Sequence, residues 1–186
     1  IGSNKVVLNK SNNVNFHKKP NNCLVLGDDV ELTKKLFSLI FDLAKKNQKI
    51  KFYLKLHPSI KINQIAENTN LIKKINNIIV TNQKIEKLYD NVKWVVYQRT
   101  TGVLNSINFN VKPIYFDNSK INLDPLIYVK YWKQVFKSKN ELEKILINDI
   151  KRSKLKKSNN IFKVKKMIKK YFFLMEKNQV LKIKKL

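Results

Sequence analysis

The sequence predicts an α/β fold in which helices cover both faces of a parallel β-sheet. Short apolar runs, each ended by a turn or a polar residue, recur along the first 150 residues, and segments with helical spacing lie between them. Strands and helices that alternate in this way are typical of βαβ units, whose strands run parallel. Hydrophobic residues make up 43% of the 186-residue chain, which allows a substantial core and excludes a wholly disordered protein.

The elements follow one another at the spacing of βαβ units. In chain order, the pattern predicts a linker or first short strand (1–20), a strand (23–26), a helix (30–47), a strand (51–56), a weaker helix (61–75), a strand (77–81), a short helix (85–89), a strand (93–97), a helix (101–109), a strand (111–117), a short strand (135–137) and a helix ending near residue 150. The last helix has a capping-box signature in Ser138 and Glu141. Cys23, the single cysteine, is expected to be a small apolar filler in the first strand.

The net charge of +26 predicts an anionic partner, namely a membrane surface, nucleic acid or phosphate groups. A second interpretation competes with it, because the abundant Lys, Asn and Ile would also follow from an AT-rich genome. No apolar run reaches the roughly 18–20 residues of a membrane span, and the amino end is not a signal peptide, so a cytoplasmic protein is expected. Since the sequence does not begin with Met, we expect a fragment of a longer chain.

The last 36 residues, 151–186, form a basic tail that carries half of the net charge. They contain 14 Lys or Arg residues and one acidic residue, Glu176, and apolar residues recur among them at helical spacing. This pattern predicts a basic amphipathic helix. It would contact anionic lipid at the inner face of the cytoplasmic membrane, contact another part of the same enzyme, or pack across the domain with its lysines in solvent.

Two strand ends carry the residues that could bind a ligand. The strand before His57 and Pro58 delivers a histidine to its carboxyl end, and Lys55 lies two positions earlier on the same face. A strand-end histidine can donate a hydrogen bond to a phosphate oxygen, and the proline would stiffen its loop. By itself, a His-Pro pair is more often structural than functional.

The second strand end contains Thr100, Thr101 and Gly102, where a strand becomes a helix. Backbone amides and hydroxyls that converge at a helix amino terminus form an anion site, although the same residues could be a simple helix cap. The glycine patterns of a P-loop and of a dinucleotide-binding loop are absent. Because the carboxyl ends of parallel strands share one edge of a sheet, we expect the two loops to meet there.

Taken together, these motifs resemble the carboxyl-terminal, nucleotide-binding half of GT-B glycosyltransferases. The similarity covers residues 20–150 and is strongest to the bacterial capsule and surface-polysaccharide group, which includes Kdo transferases, sialyltransferases and CDP-glycerol-using polymerases. It implies a Rossmann-like nucleotide-sugar-binding domain over residues 21–150. It also implies that His57 and the loop of Thr100, Thr101 and Gly102 contact the donor phosphate and sugar.

The resemblance also implies how the donor is bound, and this chain departs from its relatives at one of the binding positions. The relatives carry a ribose-binding Glu where this chain has Asn105, which could still bind a hydroxyl. Charge on the leaving phosphate would be met by His57, Lys55, Arg99 and helix dipoles, with neither a metal nor another cofactor. A CMP-, CDP- or UDP-linked donor and a glycan or lipid-linked acceptor are implied, with the catalytic base, which we cannot assign to a residue, on an amino-terminal acceptor-binding lobe.

Two other hypotheses stay open at this point. A nucleic-acid-binding protein would use the lysines, but the sequence has no helix-turn-helix, zinc-finger or RNA-binding aromatic signature, so nucleic acid is not the expected partner. A non-catalytic remnant of a transferase fold would bind neither ligand. The expected enzyme is a glycosyltransferase that is inactive without its second lobe.

Overall fold

The computed structural model describes residues 16–65, 75–118, 122–129 and 132–152, and a single sheet lies at its centre. The strands are β1 (Asn22–Leu26), β2 (Lys51–Lys55), β3 (Ile78–Val80), β4 (Trp94–Tyr97), β5 (Lys112–Phe116) and β6 (Gln134–Phe136). All neighbouring strands are parallel, in the order β3-β2-β1-β4-β5-β6. This is the strand order of a doubly wound Rossmann sheet, and the predicted α/β, Rossmann-like fold is therefore confirmed.

Helices connect the strands. They are α1 (Val30–Lys46), α2 (Ile62–Ile65), α3 (Ile85–Asp90) and α4 (Lys139–Arg152), together with the 3₁₀ helices Phe16–Lys18 and Thr101–Ile107. The helix predicted over 101–109 is present as a 3₁₀ helix that ends at Ile107.

Several predictions concern residues outside the described ranges. The helix predicted over 61–75 is described only as far as Ile65, and the leading segment 1–20 only from Phe16. The basic tail is described only at its first two residues, the end of α4. The division into a linker, a central domain and a tail therefore stays a prediction.

Alternate residues of the central strands enter two separate cores. On β1, Cys23 and Val25 pack in a cluster with α1 and α4, whereas Leu24 and Leu26 pack in a second cluster with α3 and the 3₁₀ helix Thr101–Ile107. Successive strand residues point to opposite faces, so the two cores lie on the two faces of the sheet. Each fully buried aliphatic side chain contributes about 1.5–3 kcal/mol, which explains why the central strands are almost wholly apolar.

A buried ion pair attaches α4 to the sheet. Lys112, the first residue of β5, donates from Nζ to both carboxylate oxygens of Asp149 at 2.8 Å, and the Trp94 indole donates to the same carboxylate at 2.9 Å. Both charged side chains are about one-tenth exposed. Trp94 begins β4, so this contact places the carboxyl end of α4 at the edge of the sheet where the strands begin, here called the amino edge.

The amino end of α4 forms a modified capping box. The Glu141 amide donates to the Ser138 hydroxyl at 3.4 Å, as the pattern predicts. The Glu141 carboxylate, however, accepts from the Lys137 amide at 2.7 Å, one residue earlier than the pattern requires. The side chain therefore also fixes the turn that joins β6 to α4.

Candidate functional site

The candidate site lies at the carboxyl edge of the sheet, outside the ends of β1 and β4. These two strands are neighbours, but the chain leaves β1 toward β2 and leaves β4 toward β5, on opposite sides. Such a topological switch point opens a crevice in which α/β proteins bind ligands. His57 follows β2, and Thr100 follows β4. The structure thus brings the two predicted loops to one edge, with β1 between them.

An ion-pair cluster crosses this switch point. Arg99, in the loop after β4, donates from Nε to the Asp28 carboxylate at 2.9 Å and from Nη2 to the Asp29 carboxylate. Both aspartates follow β1, and Asp29 also caps α1 by accepting from the Leu32 amide at 2.8 Å. We call Arg99, Asp28 and Asp29 the Arg99 clamp. It joins two loops that are 70 residues apart in the sequence.

The Arg99 clamp offsets a positive charge that the sequence suggested would be available to a phosphate. Partial burial acts to lower the pKa of Arg99, but the hydrogen bonds and charges of Asp28 and Asp29 outweigh it and raise that pKa. Arg99 is therefore a permanent cation whose charge is offset by two carboxylates. The amino end of α1, a natural anion site, is already occupied by the Asp29 carboxylate. The clamp thus has a formal charge of −1, from two carboxylates and one guanidinium, although the chain is strongly basic.

His57 is exposed and held in one orientation by the turn that follows it. Its Nδ1 lies 2.7 Å from the Ser59 hydroxyl and accepts from the Ser59 amide at 3.3 Å. A neutral imidazole whose Nδ1 accepts carries its proton on Nε2. Pro58 is exposed in the same turn. The ring can therefore offer an Nε2–H donor to a ligand at the carboxyl edge.

Lys55 lies at the end of β2, with its ammonium bonded to the Gln83 carbonyl at 2.7 Å. Gln83 belongs to the loop between β3 and α3, so this bond directs the charge away from β1 and toward β3. The Lys55 carbonyl accepts from the Gly27 amide at 2.9 Å, which fixes the separation of the loops after β1 and β2. An ammonium has three donors, and two are left for other acceptors.

The loop after β4 is a cap as well as a candidate binding loop. The Thr100 hydroxyl accepts from the Gly102 amide at 3.3 Å, so this threonine already satisfies one of the amides expected to face phosphate. Gly102 is tightly packed, because a Cβ on it would lie 3.1 Å from Cδ1 of Ile85, and its carbonyl accepts from the Tyr89 hydroxyl at 2.7 Å. Thr101 is exposed. Its hydroxyl is the best-placed group of this loop for a ligand.

Asn105 lies in the 3₁₀ helix that follows this loop. Its Oδ1 is buried and, within the described residues, has no hydrogen-bond partner; the same is true of Oγ of Ser106. Buried polar atoms are nearly always paired, so Oδ1 of Asn105 lacks a donor, and the Ser106 hydroxyl, which can donate as well as accept, lacks a partner. A sugar hydroxyl can donate to Oδ1 of Asn105. The sequence pointed to Asn105, whereas nothing in it distinguished Ser106.

A second polar network supports the loop after β4 and was not predicted. The Tyr97 hydroxyl, at the end of β4, donates to Asp124 at 2.8 Å, and Lys133 also donates to this carboxylate. Burial, followed by the nearby Asp124 charge, raises the pKa of Tyr97. The side chain of Asp124 is fully buried. These contacts attach the part of the β5–β6 connection around Asp124 to the end of β4.

The described residues form neither a metal site nor a membrane span. In those ranges, no group of three or more His, Cys, Asp or Glu residues is placed to hold a metal ion. None of the helices there has both the length and the apolar character that crossing a bilayer requires.

Comparison with known proteins supports the fold and leaves the finer identity open. No family model matches the sequence, and the search of curated proteins gives no significant match. Among solved structures, the UDP-GlcNAc 2-epimerase of Neisseria meningitidis bound to UDP-GlcNAc aligns with 83% of this chain and 45% of its own, at a TM-score of 0.54 and 12% identity. The glycosyltransferase SnogD of Streptomyces nogalater aligns with 82% of this chain and 40% of its own, at a TM-score of 0.50 and 13% identity. MurG of Acinetobacter baumannii aligns with 88% of this chain and 54% of its own, at a TM-score of 0.50 and 12% identity.

The chain therefore has a fold found in nucleotide-sugar epimerases and glycosyltransferases, and it spans about half of the length of those proteins. The identities are low, so the likeness concerns the fold alone. The roles assigned to Lys55, His57, Pro58, Arg99, Thr100, Thr101, Gly102 and Asn105 stay predictions.

Proposed function

We propose that this chain is the donor-nucleotide-binding domain of a glycosyltransferase that uses a CMP-, CDP- or UDP-linked sugar or polyol phosphate. The supporting observation is the topological switch point, at which the His57 loop and the Thr100–Gly102 loop flank the end of β1. The fold is shared with a structure that holds UDP-GlcNAc. The choice of a transferase over an epimerase rests on the sequence motifs.

In this proposal each predicted residue has a distinct task. His57 donates from Nε2 to a phosphate oxygen, and Lys55 adds charge from the neighbouring strand end. The exposed Thr101 hydroxyl bonds the same phosphate, and the unpaired Oδ1 of Asn105 accepts from a sugar hydroxyl. Arg99 contributes through the part of its guanidinium that the clamp leaves open, and no metal is required.

The remaining parts of the enzyme lie beyond this domain. The acceptor is a surface glycan or a lipid-linked precursor, and a second lobe supplies the acceptor site and the catalytic base. The enzyme works in the cytoplasm at the inner face of the membrane. These statements extend the sequence resemblance.

The test is calorimetric titration of the chain with CMP, CDP and UDP in about 0.3 M salt, which screens diffuse attraction to the lysines. We expect saturable binding of one nucleotide that is lost in His57→Ala. The matched control is His17→Ala, which alters the only other histidine. His17 lies in the 3₁₀ helix before β1, hence near the amino edge, and its replacement should leave binding unchanged.

The two alternative functions give different results in the same experiment. A nucleic-acid-binding protein would bind duplex DNA with a steep salt dependence that His57→Ala does not alter. A non-catalytic remnant would bind neither nucleotides nor DNA. Nucleotide binding that is equal in both histidine variants would contradict the assigned site.

A further inference from the structure

Charged side chains lie at both edges of the sheet. Acidic residues at the carboxyl edge are Asp28 and Asp29 after β1, Glu86 in the first turn of α3, Asp117 after β5 and Glu141 in the first turn of α4. At the amino edge, Asp90 ends α3, and Glu143 accepts from the Asn47 side chain just after α1. Exposed lysines outnumber the acidic residues there.

Exposed lysines crowd the amino edge. Helix α1 runs from the carboxyl edge back to the start of β2, so its last turn, the next turn and the first residue of β2 all lie at the amino edge. The exposed lysines that the chain places there, here called the lysine edge, are Lys18, Lys45, Lys46, Lys49, Lys51 and Lys151. Lys151 belongs to this group because Asp149, two residues earlier, bonds the first residue of β5.

We infer that the lysine edge binds an anionic lipid surface, with the switch-point crevice facing away from it. Each lysine near an anionic bilayer contributes about a fivefold gain in binding. The strands are short, and at about 3.3 Å per residue Lys51 lies roughly 13 Å from Lys55. This separation leaves the crevice free for ligands while the opposite edge is in contact with headgroups.

Three observations favour lipid over nucleic acid. All six cations are lysines, which act as hydrated point charges, whereas bidentate phosphate recognition favours arginine. Single-stranded nucleic acids also need exposed aromatic rings for stacking, and the one strongly exposed aromatic among the described residues is Tyr128, in the β5–β6 connection. The sequence after α4 is, in addition, rich in lysine with apolar residues at helical spacing, a pattern typical of membrane-surface helices.

The test is co-sedimentation of the full chain with vesicles of phosphatidylcholine containing 30% phosphatidylglycerol, at about 0.15 M salt. The variant Lys45→Gln/Lys46→Gln/Lys49→Gln/Lys51→Gln should bind at least tenfold more weakly. The control, Lys34→Gln/Lys61→Gln/Lys84→Gln/Lys137→Gln, removes the same charge from exposed lysines elsewhere and should lose less than threefold. Nucleotide titration should be unchanged in both variants, which separates this inference from the proposed function.

Three outcomes would overturn the inference. The first is no preference for anionic over pure phosphatidylcholine vesicles. The second is an equal loss in both variants, because net charge rather than the lysine edge would then determine binding. The third is binding to a DNA duplex that the lysine-edge variant abolishes while its vesicle binding stays unchanged.

Discussion

Replacing Asp28 by Asn should tighten nucleotide binding. In the Arg99 clamp, two carboxylates neutralise the guanidinium nearest the switch point, and both would lie close to a bound phosphate. Asparagine keeps the shape of the side chain and removes its charge. The clamp is only partly buried, since the Arg99 and Asp28 side chains are 33% and 24% exposed, so the substitution should cost little stability.

The size of the effect follows from Coulomb's law. A phosphate bound to the open side of the guanidinium would lie about 6 Å from the Asp28 carboxylate, where two unit charges repel by roughly 0.7–3 kcal/mol for an effective dielectric constant between 80 and 20. Part of this gain is lost because Asn holds Arg99 less firmly. We therefore expect a three- to tenfold lower Kd for the nucleotide.

The assay is calorimetric titration with the nucleotide that the chain binds, at about 0.05 M and 0.3 M salt. The matched control is Asp42→Asn, on the same helix as the capping Asp29 and also in an ion pair, with Lys139 at 3.0 Å. It lies 13 residues further along α1, which corresponds to about 20 Å and exceeds the Debye length. Its Kd should match that of the unaltered chain.

A weaker affinity in Asp28→Asn would mean that the aspartate positions Arg99 and does not compete with the ligand. An unchanged affinity at both salt concentrations would show that the phosphate does not bind near the clamp. Either result would refute the electrostatic argument.

Two further predictions concern stability. Asp149→Ala should lower the free energy of unfolding by about 3–5 kcal/mol, because it leaves the Lys112 ammonium and the Trp94 N–H buried without their carboxylate. Urea unfolding followed by Trp fluorescence measures this change. The double variant Lys112→Met/Asp149→Leu should recover most of the loss, and an equally unstable double variant would contradict the explanation. Burial, offset in part by the nearby Asp90 charge, lowers the pKa of Lys19 to about 8. Between pH 8 and 10.5 the unfolded state therefore binds more protons than the folded state, so the free energy of unfolding should rise with pH. The variant Lys19→Met lacks this titration. If it is more stable than the unaltered chain below pH 8, the difference in free energy of unfolding should shrink between pH 8 and 10.5. A difference that does not change with pH would contradict this prediction.

The strands and long helices could be predicted from local pattern alone. The apolar runs and the spacing in α1 are properties of contiguous residues, and burial on both faces makes parallel strands almost uniformly hydrophobic. Patterning also correctly predicted that His57 and Thr100 reach one edge, since all strands of a parallel sheet end there. The strand order was not predicted, because the same alternation of strands and helices is compatible with more than one doubly wound order.

The contacts that shape the site could not be predicted. Asp28 and Asp29 stand directly before α1, where a carboxylate commonly caps a helix, as Asp29 does. Nothing local to them indicates Arg99, which comes 70 residues later. The same holds for Asp149, whose partner on β5 is 37 residues away. Such pairs form only because the fold places their elements side by side, and local sequence periodicity carries no record of them.

The central claim, that a nucleotide binds at the switch point of β1 and β4, is tested most directly by amide NMR of the ¹⁵N-labelled chain during titration with the nucleotide. We predict shifts in the amides of residues 27–32, 57, 59–60 and 98–102, with little change at 49–51 and 111–112 on the amino edge. Shifts that gather at the amino edge, or that spread evenly over the lysine-rich surface, would contradict the claim.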